Sequence, residues 1–172
     1  MSDHDTDLHG FLRERLGDHD LDPEQAEALA AELAERAELW QHLVRHSNEE
    51  RVYTELYRDH HLDVWLICWR GTQDTGLHDH DMSGGAVRVV DGALDEDRLC
   101  RLGSGIDTTR YDAGQSFRFD ASRIHDVRNA AGHTTTSLHM YSPPLWRMGY
   151  YDVGDDGRIS RRSASYAEEL RP

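Results

Sequence analysis

The chain has 172 residues, the usual size of one domain and enough to bury an apolar core without disulfide staples. Its formal net charge of −14 disfavours binding to nucleic acid or to an anionic membrane through a basic patch. All nineteen basic residues are arginine, and the lack of lysine excludes Schiff-base and pyridoxal-lysine chemistry. Two cysteines outside any Cys-x-x-Cys pair, with no secretory or membrane-spanning pattern, predict a reduced cytoplasmic setting.

Residues 1–48 are predicted to form a helical N-terminal segment. Apolar residues spaced by three and four predict a first short helix that ends at Gly17. The stretch Asp22-Pro23-Glu24-Gln25 then provides an N-cap, a proline at the first helical position and a capping-box partner. The apolar stripe of this second helix runs to about His46 and contains Leu29, Leu33, Trp40, Leu43 and Val44.

From Arg51 onward the apolar period changes from helical to extended, with turn residues about every eight to twelve positions. The predicted strands are Val52–Leu56, Val64–Trp69, Gly85–Val90, Ala93–Arg98, Ser116–Phe119, His125–Asn129 and Thr135–Tyr141. This pattern predicts a single domain over residues 1–172. Residues 51–153 form an antiparallel β-barrel against the N-terminal helices, and residues 160–172 form a polar tail.

His78 and His80 follow the apolar run 64–69 closely. Residues two apart on an extended backbone point to the same side, so both imidazoles can bind one transition metal. A His-x-His pair also arises by chance in a chain with twelve histidines, so the pair alone does not define a site.

Two segments together resemble the paired motifs of the cupin superfamily. Residues 71–92 contain the His-x-His pair of the first motif. Residues 114–129 hold the glycine, the histidine and the closing asparagine of the second motif, with His125 as its histidine. The resemblance implies a mainly β fold, a cupin-type antiparallel β-barrel (jelly-roll-like) with N-terminal α-helices, and His125 as the third metal ligand.

The first motif departs from many cupins at one position that carries chemistry. A carboxylate ligand often follows the His-x-His pair, but here the interval 81–85 has glycine at that place. Three neutral imidazoles leave a divalent metal with open coordination positions and full positive charge, which suits an anionic substrate beside a small oxidant. Zinc also accepts three histidines, so the ligands alone do not choose the metal.

Ser137, His139 and Tyr141 alternate with apolar residues and are expected on one strand face, directly before Ser142-Pro143-Pro144. With the three histidines, this order resembles the cysteine dioxygenase family of thiol dioxygenases over about residues 51–151. The resemblance implies Fe(II) as cofactor, Ser137, His139 and Tyr141 as a catalytic relay, and dioxygen and a small thiol as partners that give a sulfinic acid. On the residues alone, a satisfied core histidine is an alternative for His139, and the flanking Ser137 and Tyr141 favour the relay.

Two positions differ from the family pattern. Gly85 stands where mammalian members have the cysteine that is crosslinked to the tyrosine, so no crosslink is expected. Glu55 stands where the family has a substrate-binding arginine, two residues after Tyr53.

The predicted substrate-binding residues follow from this second difference, and they are Glu55, Tyr53, Tyr57 and Arg58. Arg51 is an alternative to Arg58. L-Cysteine is the leading substrate, and a glutamate in the pocket would instead favour a cation such as cysteamine; 3-mercaptopropionate is a further candidate.

Other functions fit part of the pattern. A cupin metalloenzyme with another reaction, such as an isomerase, and a non-catalytic cupin that senses a small ligand both remain as alternatives. The acidic run at residues 95–97 is predicted to be a solvated rim. A monomer or weak homo-oligomer is expected.

Overall fold

The computed structural model describes residues 3–99, 105–154 and 158–165. Two helices come first, α1 (Asp3–Arg13) and α2 (Pro23–Ala34). Eleven strands follow: β1 (Val52–Arg58), β2 (Asp63–Arg70), β3 (His78–Asp79), β4 (Gly84–Asp91), β5 (Ala93–Leu99), β6 (Ile106–Asp112), β7 (Ser116–Phe119), β8 (His125–Asn129), β9 (Thr134–Ser142), β10 (Arg147–Val153) and β11 (Ile159–Ser165). The fold is mainly β, with antiparallel sheets and two helices, as predicted.

The second helix begins as predicted but ends earlier. Asp22 accepts a hydrogen bond from the Gln25 backbone amide, and the Gln25 side chain accepts one from the Asp22 amide. The helix stops at Ala34, and two 3₁₀ turns, Ala37–Leu39 and Gln41–Leu43, replace the predicted continuation to His46. The Trp40 indole folds back and donates to the Leu33 carbonyl at 2.9 Å, satisfying a carbonyl of the last helical turn.

The strands form two antiparallel sheets. The five-stranded sheet has the order β1-β2-β9-β4-β7, and the six-stranded sheet has the order β11-β10-β3-β8-β5-β6. Helix α2 packs against β4, β9 and β7, so the N-terminal segment covers the outer face of the five-stranded sheet. The cavity described below lies between the two sheets.

Strand β2 is buried on both faces, which explains its continuous apolar sequence. Val64, Leu66 and Cys68 belong to the core between the five-stranded sheet and the helices. Trp65, Ile67 and Trp69 belong to the core between the two sheets. One strand therefore joins the helical layer to the wall of the cavity.

The polar tail predicted from about Ser160 is a strand as far as Ser165, because β11 pairs with the whole of β10. The rest of that predicted tail, residues 166–172, lies outside the described residues. In the described part of the chain, no helix is long and apolar enough to cross a membrane.

Candidate active site

A cavity of about 130 Å³ opens between the two sheets. Its walls combine aromatic and aliphatic side chains, among them Trp65, Ile67, Val87, Phe119 and Leu145, with a small set of polar groups. Among the described residues, no aspartate or glutamate lines it. A cavity of this size and composition accepts a compact molecule and presents no carboxylate to it.

Three histidines meet at one wall of this cavity. His78 on β3 is the register partner of His125 on β8, and His80 follows directly after β3. All three are buried, and their ligand nitrogens lie within 4.8 Å of one another. The Nε2 atoms of His78 and His80 are 3.1 Å apart. The fold thus brings together the three residues that the sequence predicted as metal ligands.

The protonation of these imidazoles favours metal binding. Burial is the main cause that lowers the pKa of His78 to about 3, and the neighbouring His125 contributes to this shift. Burial also lowers the pKa of His80 well below its usual value, with His78 and His125 adding to the effect. Neutral imidazoles keep a lone pair for a metal, which is the form that ligand histidines require.

The hydrogen bonds of the rings support the same conclusion. His78 Nδ1 lies 2.8 Å from the Gly76 carbonyl, to which it donates, so Nε2 carries the lone pair. His125 Nδ1 lies 2.8 Å from Glu96 Oε1, while His125 Nε2 is buried without a hydrogen-bond partner. A buried, unpartnered nitrogen beside two further imidazole nitrogens fits a bound transition-metal ion.

Asp79, which lies between His78 and His80 in the chain, is hydrogen-bonded by side chains outside the cavity. Arg161 on β11 donates two hydrogen bonds to its carboxylate, at 2.8 and 2.9 Å, and Tyr151 on β10 donates a third. Burial alone would raise the pKa of Asp79, but these hydrogen bonds outweigh it and hold the pKa at about 2. Strand β3 has only two residues, and this side-chain network ties it to β10 and β11.

Gly149 on β10 makes that network possible. It is the register partner of Asp79, and a Cβ at this position would lie 2.2–2.4 Å from the guanidinium of Arg161. The side chain of Arg161 therefore crosses the bare backbone of Gly149 to reach Asp79.

The predicted relay is formed on β9, opposite the histidines. Ser137 Oγ lies 2.9 Å from His139 Nε2, and His139 Nδ1 lies 3.4 Å from the Tyr141 hydroxyl. Trp69 on β2 extends the chain by donating to Ser137 Oγ at 2.8 Å. The centroid of the Tyr141 ring lies 5.1 Å from that of the His80 ring, so the relay ends beside the three histidines.

Burial sets the protonation of the relay. It raises the pKa of Tyr141, with the charge of Asp63 adding to the effect, so the hydroxyl stays protonated. It lowers the pKa of His139 well below its usual value, and the positive charge of Arg51 adds to this, so His139 stays neutral. The Ser142–Pro143 peptide bond that follows the relay is cis.

Gly85 is required by the packing of two strands. It pairs with Tyr141 across β4 and β9, and a Cβ there would lie 1.8 Å from the Met140 carbonyl oxygen. The close approach of β4 to β9 leaves no space for a cysteine at this position.

The residues predicted to bind substrate are divided by the fold. Tyr53 lines the cavity, with its ring 6.0 Å from that of Trp65. Glu55 is exposed and does not line the cavity. Tyr57 is buried on the helical side of the sheet and donates to Asp59 at 2.8 Å.

Arg58 binds protein groups outside the cavity. It forms an ion pair with buried Asp63 and donates to the Leu145 carbonyl at 2.9 Å. Its guanidinium lies 4.8 Å from the ring centroid of exposed Trp146. Arg58 therefore stabilises the segment after the two prolines and does not line the cavity.

Arg51 is the one arginine that lines the cavity in the described part of the chain. It donates to the Asp74 carbonyl and stacks over Trp69, 5.0 Å from the ring centroid, while its Nε is buried without a hydrogen-bond partner. It precedes Tyr53 by two residues, whereas the family arginine follows the tyrosine by two. A guanidinium in this place is suited to a carboxylate.

Sequence reasoning missed Glu96 and Arg161. Glu96 was predicted to be solvated with its acidic neighbours, but it is fully buried behind His125, and Asp97 is largely buried as well. The prediction was wrong because three consecutive acids look alike in sequence, although successive residues of a strand face opposite sides. The one sequence feature that indicates burial of Glu96 is strand alternation, which places it on the same face as the apolar Leu94.

Solved structures identify the fold class. A protein of Thermus thermophilus matches with a TM-score of 0.53 at 16% identity, covering 60% of this chain and 92% of its own. A protein with a double-stranded β-helix domain from Klebsiella pneumoniae matches with a TM-score of 0.52 at 14% identity, covering 70% of this chain and 91% of its own. An RmlC-like cupin protein from Desulfovibrio desulfuricans matches with a TM-score of 0.51 at 17% identity, covering 59% of this chain and 91% of its own. The chain has the cupin fold.

A narrower assignment comes from the sequence family. The model of cysteine dioxygenase type I matches residues 2–153, most of the chain, and the chain belongs to that family. Membership implies an oxidoreductase of the dioxygenase type with a three-histidine site that can hold a metal.

Proposed function

We propose that this protein is an Fe(II)-dependent thiol dioxygenase whose substrate is a small thiol with a carboxylate group. The observation that carries the proposal is the meeting of three buried histidines and the Ser137–His139–Tyr141 relay at one cavity. His78, His80 and His125 would hold the iron, which supplies the Lewis acidity and redox chemistry that join sulfur and dioxygen.

The overall reaction needs no further reductant. A thiol R–SH and one molecule of dioxygen give R–SO₂H, in which sulfur has lost four electrons and both oxygen atoms are in the product. The protein must therefore hold the thiol, exclude bulk water and place one hydrogen-bond donor. The apolar walls and the buried Tyr141 fit these tasks.

The hydrogen bonds of the relay determine where the hydroxyl hydrogen of Tyr141 points. Ser137 Oγ accepts from Trp69, and its own hydrogen is left for His139 Nε2, the remaining acceptor among its described contacts. His139 then carries its proton on Nδ1, facing the Tyr141 oxygen. The hydroxyl hydrogen of Tyr141 is thereby left to donate to a group in the cavity.

Arg51 favours a carboxylate on the substrate. Its buried Nε lacks a protein partner, and no carboxylate among the described residues lines the cavity to receive an ammonium group. These observations favour L-cysteine or 3-mercaptopropionate over cysteamine, since Glu55 lies outside the cavity.

The test is oxygen uptake by iron-loaded protein with L-cysteine, 3-mercaptopropionate and cysteamine, with product analysis by mass spectrometry. We expect one oxygen molecule consumed per sulfinate formed, with a carboxylate-bearing thiol as the best substrate. No uptake with any of the thiols would refute the proposal. A preference for cysteamine would refute the assignment of Arg51.

A further inference from the structure

Glu96 is a buried acid outside the cavity for which the proposed reaction has no use. It lies on β5 with no exposed surface, and Oε1 accepts a hydrogen bond from His125 Nδ1 at 2.8 Å. Arg123 Nη1 lies 3.3 Å from the same oxygen, and Arg98 Nε lies 3.9 Å from Oε2. The Tyr111 hydroxyl also donates to Oε2 at 3.5 Å, and these partners together allow a carboxylate to be buried here.

The three ligand histidines have different support. His78 donates to a neutral backbone carbonyl, and His80 Nδ1 is buried without a hydrogen-bond partner. Only His125 has a carboxylate behind it. Because Glu96 binds the Nδ1 proton, it fixes the tautomer of His125 and leaves the Nε2 lone pair for the metal.

We propose that Glu96 is a positioning residue that sets the metal affinity of the site and supplies, through His125, the negative charge that the glycine-containing first motif lacks. Its hydrogen bond increases the electron density of the imidazole, so His125 becomes the strongest donor of the three. The inference rests on the metal site of the proposed function and is independent of the reaction catalysed there.

The first test compares Glu96→Gln with wild type in chelator-competition titrations with Co²⁺ and Zn²⁺. The amide oxygen of glutamine can still accept from His125 Nδ1, so the ring orientation is kept while the charge is removed. We expect the metal dissociation constant to rise about 10- to 100-fold, with an altered visible spectrum of bound Co²⁺. An unchanged dissociation constant in folded protein would overturn the proposal.

Asp95→Asn is the matched control. Asp95 is the neighbouring acid on the same strand and forms an ion pair with Arg128 at 3.8 Å, away from the histidines. The control should leave metal affinity unchanged. A loss equal to that of Glu96→Gln would show that general acidity of the strand matters, and would contradict a specific role for Glu96.

A second variant changes the affinity in the opposite direction and guards against misfolding of the first. Arg123→Met removes a cation that offsets the charge of Glu96, so the carboxylate should act more strongly on His125. We expect metal binding to tighten by up to about fivefold, the range of a partly exposed ion pair. Weaker or unchanged binding would count against the proposal. Because all these measurements report metal affinity, their failure is distinguishable from a failure of thiol oxidation.

Discussion

The two sheets bring different chemistry to the cavity and support it in different ways. The six-stranded sheet carries the histidines that could hold a metal, and charged groups support this wall from outside: Glu96 behind His125, and Arg161 on Asp79. The five-stranded sheet carries the relay, which is built from neutral hydrogen bonds that begin at Trp69. The wall that could hold a cation is thus supported by charged groups, whereas the Tyr141 hydroxyl on the other wall is oriented by neutral hydrogen bonds.

This difference predicts that the two walls can be impaired separately. Substitutions in the six-stranded sheet should change metal affinity. Substitutions in the five-stranded sheet should change substrate binding or turnover at unchanged metal content. The following variants test that separation, from the largest expected effect to the smallest.

Removing one of the three histidines should have the largest effect, because it should abolish both metal binding and activity. We expect His78→Ala to lose stoichiometric iron binding and all oxygen uptake, because two imidazoles do not hold a labile divalent ion tightly. Metal analysis after gel filtration and an oxygen electrode measure both. His60→Ala, at an exposed position, is the control and should retain full metal content. Retained iron in His78→Ala would contradict the ligand assignment.

Removing Arg51 should impair substrate binding and leave the metal in place. A hydrogen-bonded ion pair with a carboxylate contributes about 1.5–3 kcal/mol, so Arg51→Met should raise KM about 10- to 150-fold. The change should be seen with L-cysteine or 3-mercaptopropionate and be small with cysteamine. Steady-state kinetics on protein of known iron content measure it.

Glu55→Gln is the control for this variant, because Glu55 is exposed outside the cavity. It should change KM less than about twofold. A larger effect of Glu55→Gln than of Arg51→Met would restore the glutamate to the substrate site.

Breaking the relay should slow turnover. In Ser137→Ala, His139 loses the hydrogen bond that sets its tautomer, so the Tyr141 hydrogen is no longer directed into the cavity. We expect kcat to fall about tenfold or more, within the usual contribution of one positioned proton donor, at unchanged iron affinity. Trp69→Phe should have a smaller effect in the same direction. Loss of iron in either variant would show that the two walls are coupled.

Loosening β3 should have the smallest effect on the site. Arg161→Met keeps the alkyl stem but removes both hydrogen bonds to Asp79. We expect a loss of about 1–2 kcal/mol in the free energy of unfolding, less than for a fully buried pair because the Arg161 side chain is 38% exposed. Metal affinity should fall by a smaller factor than in Glu96→Gln.

Gly149→Ala should reproduce both effects, because its Cβ displaces the Arg161 guanidinium. Chemical denaturation and metal titration of the two variants measure them. Normal stability in both would contradict the role of this network.

Local pattern was enough to predict much of the fold. Extended-strand periodicity and turn residues located β1, β4, β5, β7, β8 and β9, and a continuous apolar run located β2. Motif spacing located His78, His80 and His125. Strands β6 and β11 are largely exposed and polar, so they lack the apolar signal that marks a strand. Their pairing with neighbouring strands, and not their composition, makes them strands.

The unpredicted part of the site depends on contacts between distant residues. Glu96 and His125 are separated by 29 positions, and Asp79 and Arg161 by 82. Which of three consecutive acids are buried, and which arginine lines the cavity, depends on strand register and on where the sheet ends. Neither is visible in a single sequence without the pairing of strands.

Strand β9 has a further consequence for the motions of the protein. It is paired on both sides, covered by α2 on one face, and buried along eight of its nine residues, whereas β3 is two residues long. Amide hydrogens of β9 should therefore be among the last to exchange with deuterated solvent, and those of β3 much earlier. We therefore expect breathing of the protein to open the wall that carries the three histidines while the Tyr141 hydroxyl stays in position, so that a metal could enter or leave without disturbing Tyr141.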